Sequence, residues 1–239
     1  MDYIKQFDYS IIHFLNQFAR KSPAFDTFVF DVADSDLLKG GIFMAYFWWL
    51  WFKSYEAPVR RRAVVVFVLG GIAAAIISRI LQIALPYHGR PLHTADLGFV
   101  VPIGVNPATL SFWNSFPSDH AVLFFALSMA VWYYSRRLGV VAMIWTFFVI
   151  CVPRVYLGYH FPSDVIVGAV LGVLIMMAAH RLFTNSGFVE GIVDLERTHR
   201  AIFYCLAFLL TYELAILFYD LRVLAVDSIH IIKAIVKAA

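Results

Sequence analysis

Apolar residues gather in six runs, at about 37–52, 63–85, 119–135, 138–153, 163–182 and 201–220. A helix needs roughly 20 apolar residues to cross the hydrocarbon, about 17–25 being the usual range. Each run therefore predicts a spanning helix, and the third and fourth are short ones. Residues 2–19 differ: Ile4, Phe7, Ile11, Phe14, Leu15 and Phe18 recur at helical spacing, with Lys5, Gln6, Asp8, Asn16 and Gln17 between them. That spacing predicts an amphipathic helix lying at an interface. The pattern gives an all-α integral membrane protein with about six transmembrane helices and an N-terminal amphipathic helix. It divides into an amphipathic N-terminal segment (1–36), a membrane-embedded core (37–182) and a C-terminal part (183–239). This last part holds a polar linker at 184–200, an additional transmembrane helix and a tail. The opening MDYIKQFDYS has no basic stretch before an apolar core and no small-residue cleavage site. Insertion is thus expected to use the spans themselves.

Composition sharpens the picture. Hydrophobic residues make up 62 % of the 239 and charged residues 15 %, against about 45–50 % and 25 % in soluble domains. A soluble globule of this size lacks the interior to hide so much apolar surface. Soluble, disordered and nucleic-acid-binding classes are excluded. Cys151 and Cys205 lie inside apolar runs, with neither metal nor disulfide spacing.

Basic residues are unevenly placed. Lys53 and Arg60 to Arg62, Arg136 and Arg137, and Arg181, Arg197 and Arg200 fall in three alternating loops. By the positive-inside rule these loops are cytoplasmic. The opposite loops, 86–118 and 154–162, hold only Arg90 and Arg154, and both termini are expected outside. Those outer loops carry three clusters: His88 to Pro91; Phe116 to His120, where the third span opens; and Pro153 and Arg154 followed by Tyr156 to His160 and Pro162 to Asp164. A 16–17-residue helix rises about 25 Å, against hydrocarbon about 30 Å thick. The clusters at the ends of the short spans therefore belong slightly below the outer headgroups, where a lipid presents its polar group.

The residue types make one chemical proposal. Arginines offer planar, permanently charged forks that match phosphate oxygens. Ser118 is a natural N-cap and leaves backbone N–H groups facing an anion. Of two histidines on one face, one can attack phosphorus while the other protonates the leaving oxygen. Asp164, four residues after His160, shares its face if a helix begins there and can orient its ring. Metal hydrolysis is the rival, but no tight ligand spacing such as HExxH is present. His88 fits phosphate binding and a turn role alike. Glu213, midway along the sixth run, is costly in hydrocarbon if ionised. It has three readings: a pair with Arg79, a protonated acid or an oligomer contact.

Arg90-Pro91, Pro117-Ser118-Asp119-His120 and Arg154-x5-His160-x3-Asp164 resemble the three-part signature of the type 2 phosphatidic acid phosphatase superfamily. The likeness covers roughly residues 37–182; the short chain, the Pro117-Ser118-Asp119-His120 run and the leading amphipathic helix resemble bacterial undecaprenyl-diphosphate phosphatases, and related proteins of polysaccharide and lipid A pathways are similar too. The resemblance implies His160 as a nucleophile forming a phosphohistidine, Asp164 orienting it, and His120 as general acid and later base. It implies Arg90, Ser118, Arg154 and the backbone N–H of Asp119 as phosphate ligands, and neither metal nor cofactor. The family lysine seven residues before the first arginine is Ile83 here, and Asp119 stands where many members have glycine.

The expected function is hydrolysis of a polyprenyl (undecaprenyl) diphosphate at the outer face of a bacterial inner membrane. The partners are a lipid phosphate substrate and the bilayer. Alternatives are phosphotransfer to an acceptor such as lipid A, a phosphatidylglycerophosphate or phosphatidate phosphatase, and a non-enzymatic transporter subunit. The last predicts paired broken helices at the midplane, which the sequence lacks.

Overall fold

The computed structural model describes residues 2–53 and 58–224, and among them there are helices and loops but no strand. Helix α1 (Asp2–Asn16) is the amphipathic segment. Helix α2 (Pro23–Asp34) starts at Ser22, whose hydroxyl accepts the Phe25 N–H. A π-helical turn, Leu37–Gly41, leads into α3 (Ile42–Lys53). Helix α4 (Pro58–Ala84) is followed by the long outer loop. Then come α5 (Asp119–Tyr134) and α6 (Arg136–Trp145), joined at Ser135. A second π-helical turn, Thr146–Cys151, runs into the short α7 (Val152–Tyr156). Helices α8 (Pro162–Phe183), α9 (Gly187–Thr198) and α10 (Arg200–Ala215) complete the described chain. The tail from residue 225 lies outside the described residues.

Among the described residues, three helices are long and apolar enough to cross a membrane: Val59–Ala84, Arg136–Tyr156 and Pro162–Phe183. The second joins α6, the π turn and α7 into one rod, longer than the run at 138–153 predicts. Helices α5 and α10 have 16 residues each, a rise of about 24 Å.

Helix α5 is the hub. Ala121 to Phe124, Ala126 and Leu127 are at most 1 % exposed, so it is wrapped on all sides, as a helix apolar all round must be. It packs on α8, α4 and α6. Contact with α8 is closest where the sequence places Gly168 and Gly172. A Cβ at Gly172 would lie 2.1 Å from the Val122 carbonyl oxygen, and one at Gly168 2.8 Å from that of Ser118. Only glycine lets the backbones meet this way.

The stretch 184–200 is a helix rather than a linker. Ser186 caps α9 by accepting the Val189 N–H. Val189, Val193 and Glu196 recur on one face and are buried, a period that the polar composition masked. Glu196 forms a 3.0 Å ion pair with Arg61, both side chains 4 % exposed, and Glu190 pairs with Arg62. The basic run read as a topology marker also ties α4 to α9.

Helix α1 turns Asp8 and Ile12 inward and leaves Tyr3, Ile4, Phe7 and Phe14 exposed, as an interfacial helix should. Asp8 accepts the Ser163 N–H at 2.8 Å and its hydroxyl at 2.6 Å. Asn16 exchanges two hydrogen bonds with Val100. The helix is thereby fixed over the start of α8 and the outer loop.

Candidate active site

Three segments meet at one end of α5. Asn114 organises the first. Its amide donates to the carbonyls of Gln82, Leu85 and Pro86, and its oxygen accepts the N–H groups of His88 and Phe116. Ser115 N–H donates to the His88 carbonyl at 2.9 Å. Ser118 caps α5 by accepting the Ala121 N–H, while its own N–H donates to the Asp164 carbonyl at 3.2 Å. That last bond joins the starts of α5 and α8.

His160 sits on the loop between α7 and α8, 2 % exposed. Its Nδ1 is 3.0 Å from the Ser115 carbonyl oxygen. A carbonyl only accepts, so Nδ1 carries the proton and Nε2 keeps its lone pair. Nε2 lies 3.9 Å from Asp119 Oδ1. Burial holds the imidazole below its ordinary pKa, against the pull of Asp164, so the ring is neutral and basic at pH 7.

The expected bond from Asp164 to His160 is indirect. Their nearest atoms are 3.8 Å apart, beyond hydrogen-bond range. Asp164 Oδ2 instead accepts the Ser115 hydroxyl and the Phe161 N–H, so it positions the residue whose carbonyl holds the ring. Its other oxygen is 3.4 Å from His88 Nδ1, and Asp164 raises the His88 pKa against the effect of burial.

His120 opens α5 and directs Nδ1 to Asp119 Oδ1 at 2.8 Å, which leaves its Nε2 for other chemistry. Arg90 donates from Nε and both terminal nitrogens to the carbonyls of Trp113, Tyr159 and Asn114. This fixes its fork in place and leaves two of its five N–H groups. Arg154 donates to the Ala33 carbonyl at 3.3 Å. Its buried Nε has no hydrogen-bond partner among the described residues. A charged donor is costly to leave so, and an anion would satisfy it. All seven residues singled out from the sequence thus belong to one neighbourhood.

The neighbourhood also holds groups outside the set of seven picked from the sequence. Ser115 and Asn114 lie in a loop without periodicity. Lys39, on the first π turn and 7 % exposed, pairs with Asp36 at 3.0 Å; its charge is felt at Arg154 and His120. Arg79 reaches Asp119 at 3.2 Å and Gln82 at 2.7 Å, and stacks on Trp113. Gln82 donates to the Pro117 carbonyl. Ile83, the position of the family lysine, faces outward at 74 % exposure. Glu213 does not meet Arg79; its buried Oε2 has no hydrogen-bond partner among the described residues.

The chain is similar to several known proteins. The PAP2 superfamily profile matches residues 90–188. Lipid A 1-diphosphate synthase of Escherichia coli (strain K12) is 31 % identical over 178 residues, covering 70 % of this chain and 72 % of that protein. A protein of the same organism named as an undecaprenyl-diphosphatase, YbjG, is 27 % identical over 152 residues, 64 % of this chain and 71 % of its own. The first transmembrane PAP2 type phosphatidylglycerolphosphate phosphatase from Bacillus subtilis superposes with a TM-score of 0.53 at 16 % identity. That superposition covers 80 % of this chain and 89 % of that one, a likeness of fold.

Proposed function

The chain belongs to the PAP2 superfamily, and on that premise we propose that it is a membrane lipid phosphatase. It removes the terminal phosphate of a polyprenyl diphosphate, undecaprenyl diphosphate being the best candidate, through a phosphohistidine on His160. Nε2 of His160 attacks phosphorus. Arg90, Arg154, Ser118 and the Asp119 N–H hold the phosphoryl oxygens as charge develops on them. His120 protonates the leaving lipid and then takes a proton from the water that cleaves the phosphohistidine. Asp164 acts through Ser115 to fix the nucleophile. The reading calls for no metal. The core at 37–182 does this work in a bacterial inner membrane, the site facing the periplasm, as the scarcity of basic residues in the outer loops favours.

The observation that carries the reading is the His160 ring. It is buried, neutral and held through Nδ1, which leaves the Nε2 lone pair free to attack. The test is phosphate release by the purified protein with a chelator present. Wild-type protein should release phosphate and His160→Ala should not; equal release by the two would sink the mechanism.

A second reading is favoured by the 31 % identity to a lipid A 1-diphosphate synthase. The same phosphohistidine then passes its phosphate to an acceptor lipid instead of water. Radiolabel from the terminal phosphate distinguishes them, appearing on a second lipid for transfer and as free phosphate for hydrolysis.

A further inference from the structure

We infer that Arg79 is a specificity-determining residue that receives the leaving lipid phosphate of a diphosphate substrate, and that Asp119 holds it in place. The inference rests on the phosphatase reading above and deepens it.

Asp119 brings a carboxylate into a site meant for an anion. Its Oδ1 touches His120 Nδ1 at 2.8 Å and approaches His160 Nε2 at 3.9 Å, so it stands beside the path between nucleophile and acid. Alone it would repel the substrate. Arg79 is the cation that offsets it, 3.2 Å away on Oδ2. The fork is also braced by Gln82 and by the Trp113 ring. Its side chain is 23 % exposed, so it is open to a ligand, unlike the nearly buried Arg90 and Arg154.

The bridge through Asp119 puts Arg79 on the His120 side, where the leaving group departs. For a lipid diphosphate, the His160 Nε2–phosphorus bond forms and the bond from that phosphorus to the bridging oxygen breaks. The electron pair stays on the bridging oxygen, now part of a lipid monophosphate. This leaving group is a far weaker base than an alkoxide, so it depends less on the His120 proton when a guanidinium neutralises it. Water then attacks the phosphohistidine, gives its proton to His120 and releases phosphate, which restores His160. For a lipid monophosphate the leaving group is an alkoxide, which needs the His120 proton and has no second phosphate for Arg79 to bind. Arg79 should therefore matter for diphosphates, and His120 most for monophosphates.

The experiment compares kcat/KM for a polyprenyl diphosphate and the matching monophosphate in the same detergent. Arg79→Gln should lose roughly 100-fold on the diphosphate, the size seen when one transition-state donor is removed, and clearly less on the monophosphate, where only the charge that offsets Asp119 is lost. Arg79→Lys keeps the charge but not the fork; it covers the case in which Arg79→Gln fails to fold, and should lose about 10-fold on the diphosphate alone. His120→Asn should reverse the ranking. Equal losses on both substrates in the Arg79 variants would overturn the assignment while leaving the phosphatase reading intact. So would a wild-type enzyme that cleaves only the monophosphate. Wild-type protein that cleaves neither would remove the phosphatase reading itself, and this inference with it.

Discussion

Replacing Gly172 by alanine tests whether the contact between α5 and α8 sets the catalytic geometry. The added Cβ would sit 2.1 Å from the Val122 carbonyl oxygen, where ordinary contact begins near 3.4 Å. The obstacles are backbone atoms, the Val122 carbonyl and the Ala126 nitrogen, so no side chain can swing away. The helices must part by about 1.3 Å there. Val122 is two residues beyond His120, and Gly172 lies about 12 Å along α8 from Asp164. The Ser118–Asp164 bond, at 3.2 Å, has no slack for such a shift. A misplacement of about 1 Å costs on the order of 100-fold in rate, and overpacking costs about 1–3 kcal/mol of stability. The assay is kcat for phosphate release by detergent-purified protein, with thermal unfolding measured alongside. Gly187→Ala is the control, since a Cβ there meets nothing within 4 Å. The expected outcome is a folded Gly172→Ala protein with kcat down about 100-fold and an unchanged control. Wild-type turnover by Gly172→Ala would refute the claim that this contact tunes the site.

Three other predictions use the same protein. Burial lowers the His160 pKa and the neutral ring is the nucleophile, so the acid limb of kcat/KM should lie below the ordinary histidine value of about 6.5; an acid limb above that value contradicts the assignment. Glu196→Ala leaves Arg61 buried without the carboxylate it now meets at 3.0 Å. It should cost about 3–5 kcal/mol, read by thermal unfolding, while a paired change of both residues to apolar ones recovers much of the loss. Asp8→Ala removes two hydrogen bonds from Ser163 and should raise amide hydrogen exchange in α1; unchanged exchange would show that other contacts hold this helix.

The positions proposed for the site stand out in the sequence because several sit beside helix starts with strong local signals. Ser118 reads as a cap, and the i,i+4 spacing of His160 and Asp164 suggests a shared helix face, although His160 lies on the loop before α8. The rest was not legible for physical reasons. Ser115 works through its carbonyl, which every residue possesses. Arg79 and Lys39 lie inside apolar runs, where a charged residue reads as a cost before its partner is known. The 184–200 stretch looked like a linker because its few buried positions, Val189, Val193 and Glu196, include a carboxylate. Its burial makes sense only once Arg61 is seen opposite. The π turns at Leu37–Gly41 and Thr146–Cys151 leave no mark in hydrophobic periodicity over so short a length.

The π turn before α7 has a consequence for lineage. A π turn accommodates one more residue than an α-helical turn, so it is what a single-residue insertion into a regular helix leaves behind. One residue is worth about 100° of rotation. Because the turn at Thr146–Cys151 absorbs the extra residue, Arg154 keeps the facing it would have on a straight helix one residue shorter, whereas deleting a residue from the regular α6 would swing it by about 100°. A relative built on a straight helix here would present its arginine on the same face one residue earlier, and a gapless alignment between the two would pair the wrong positions.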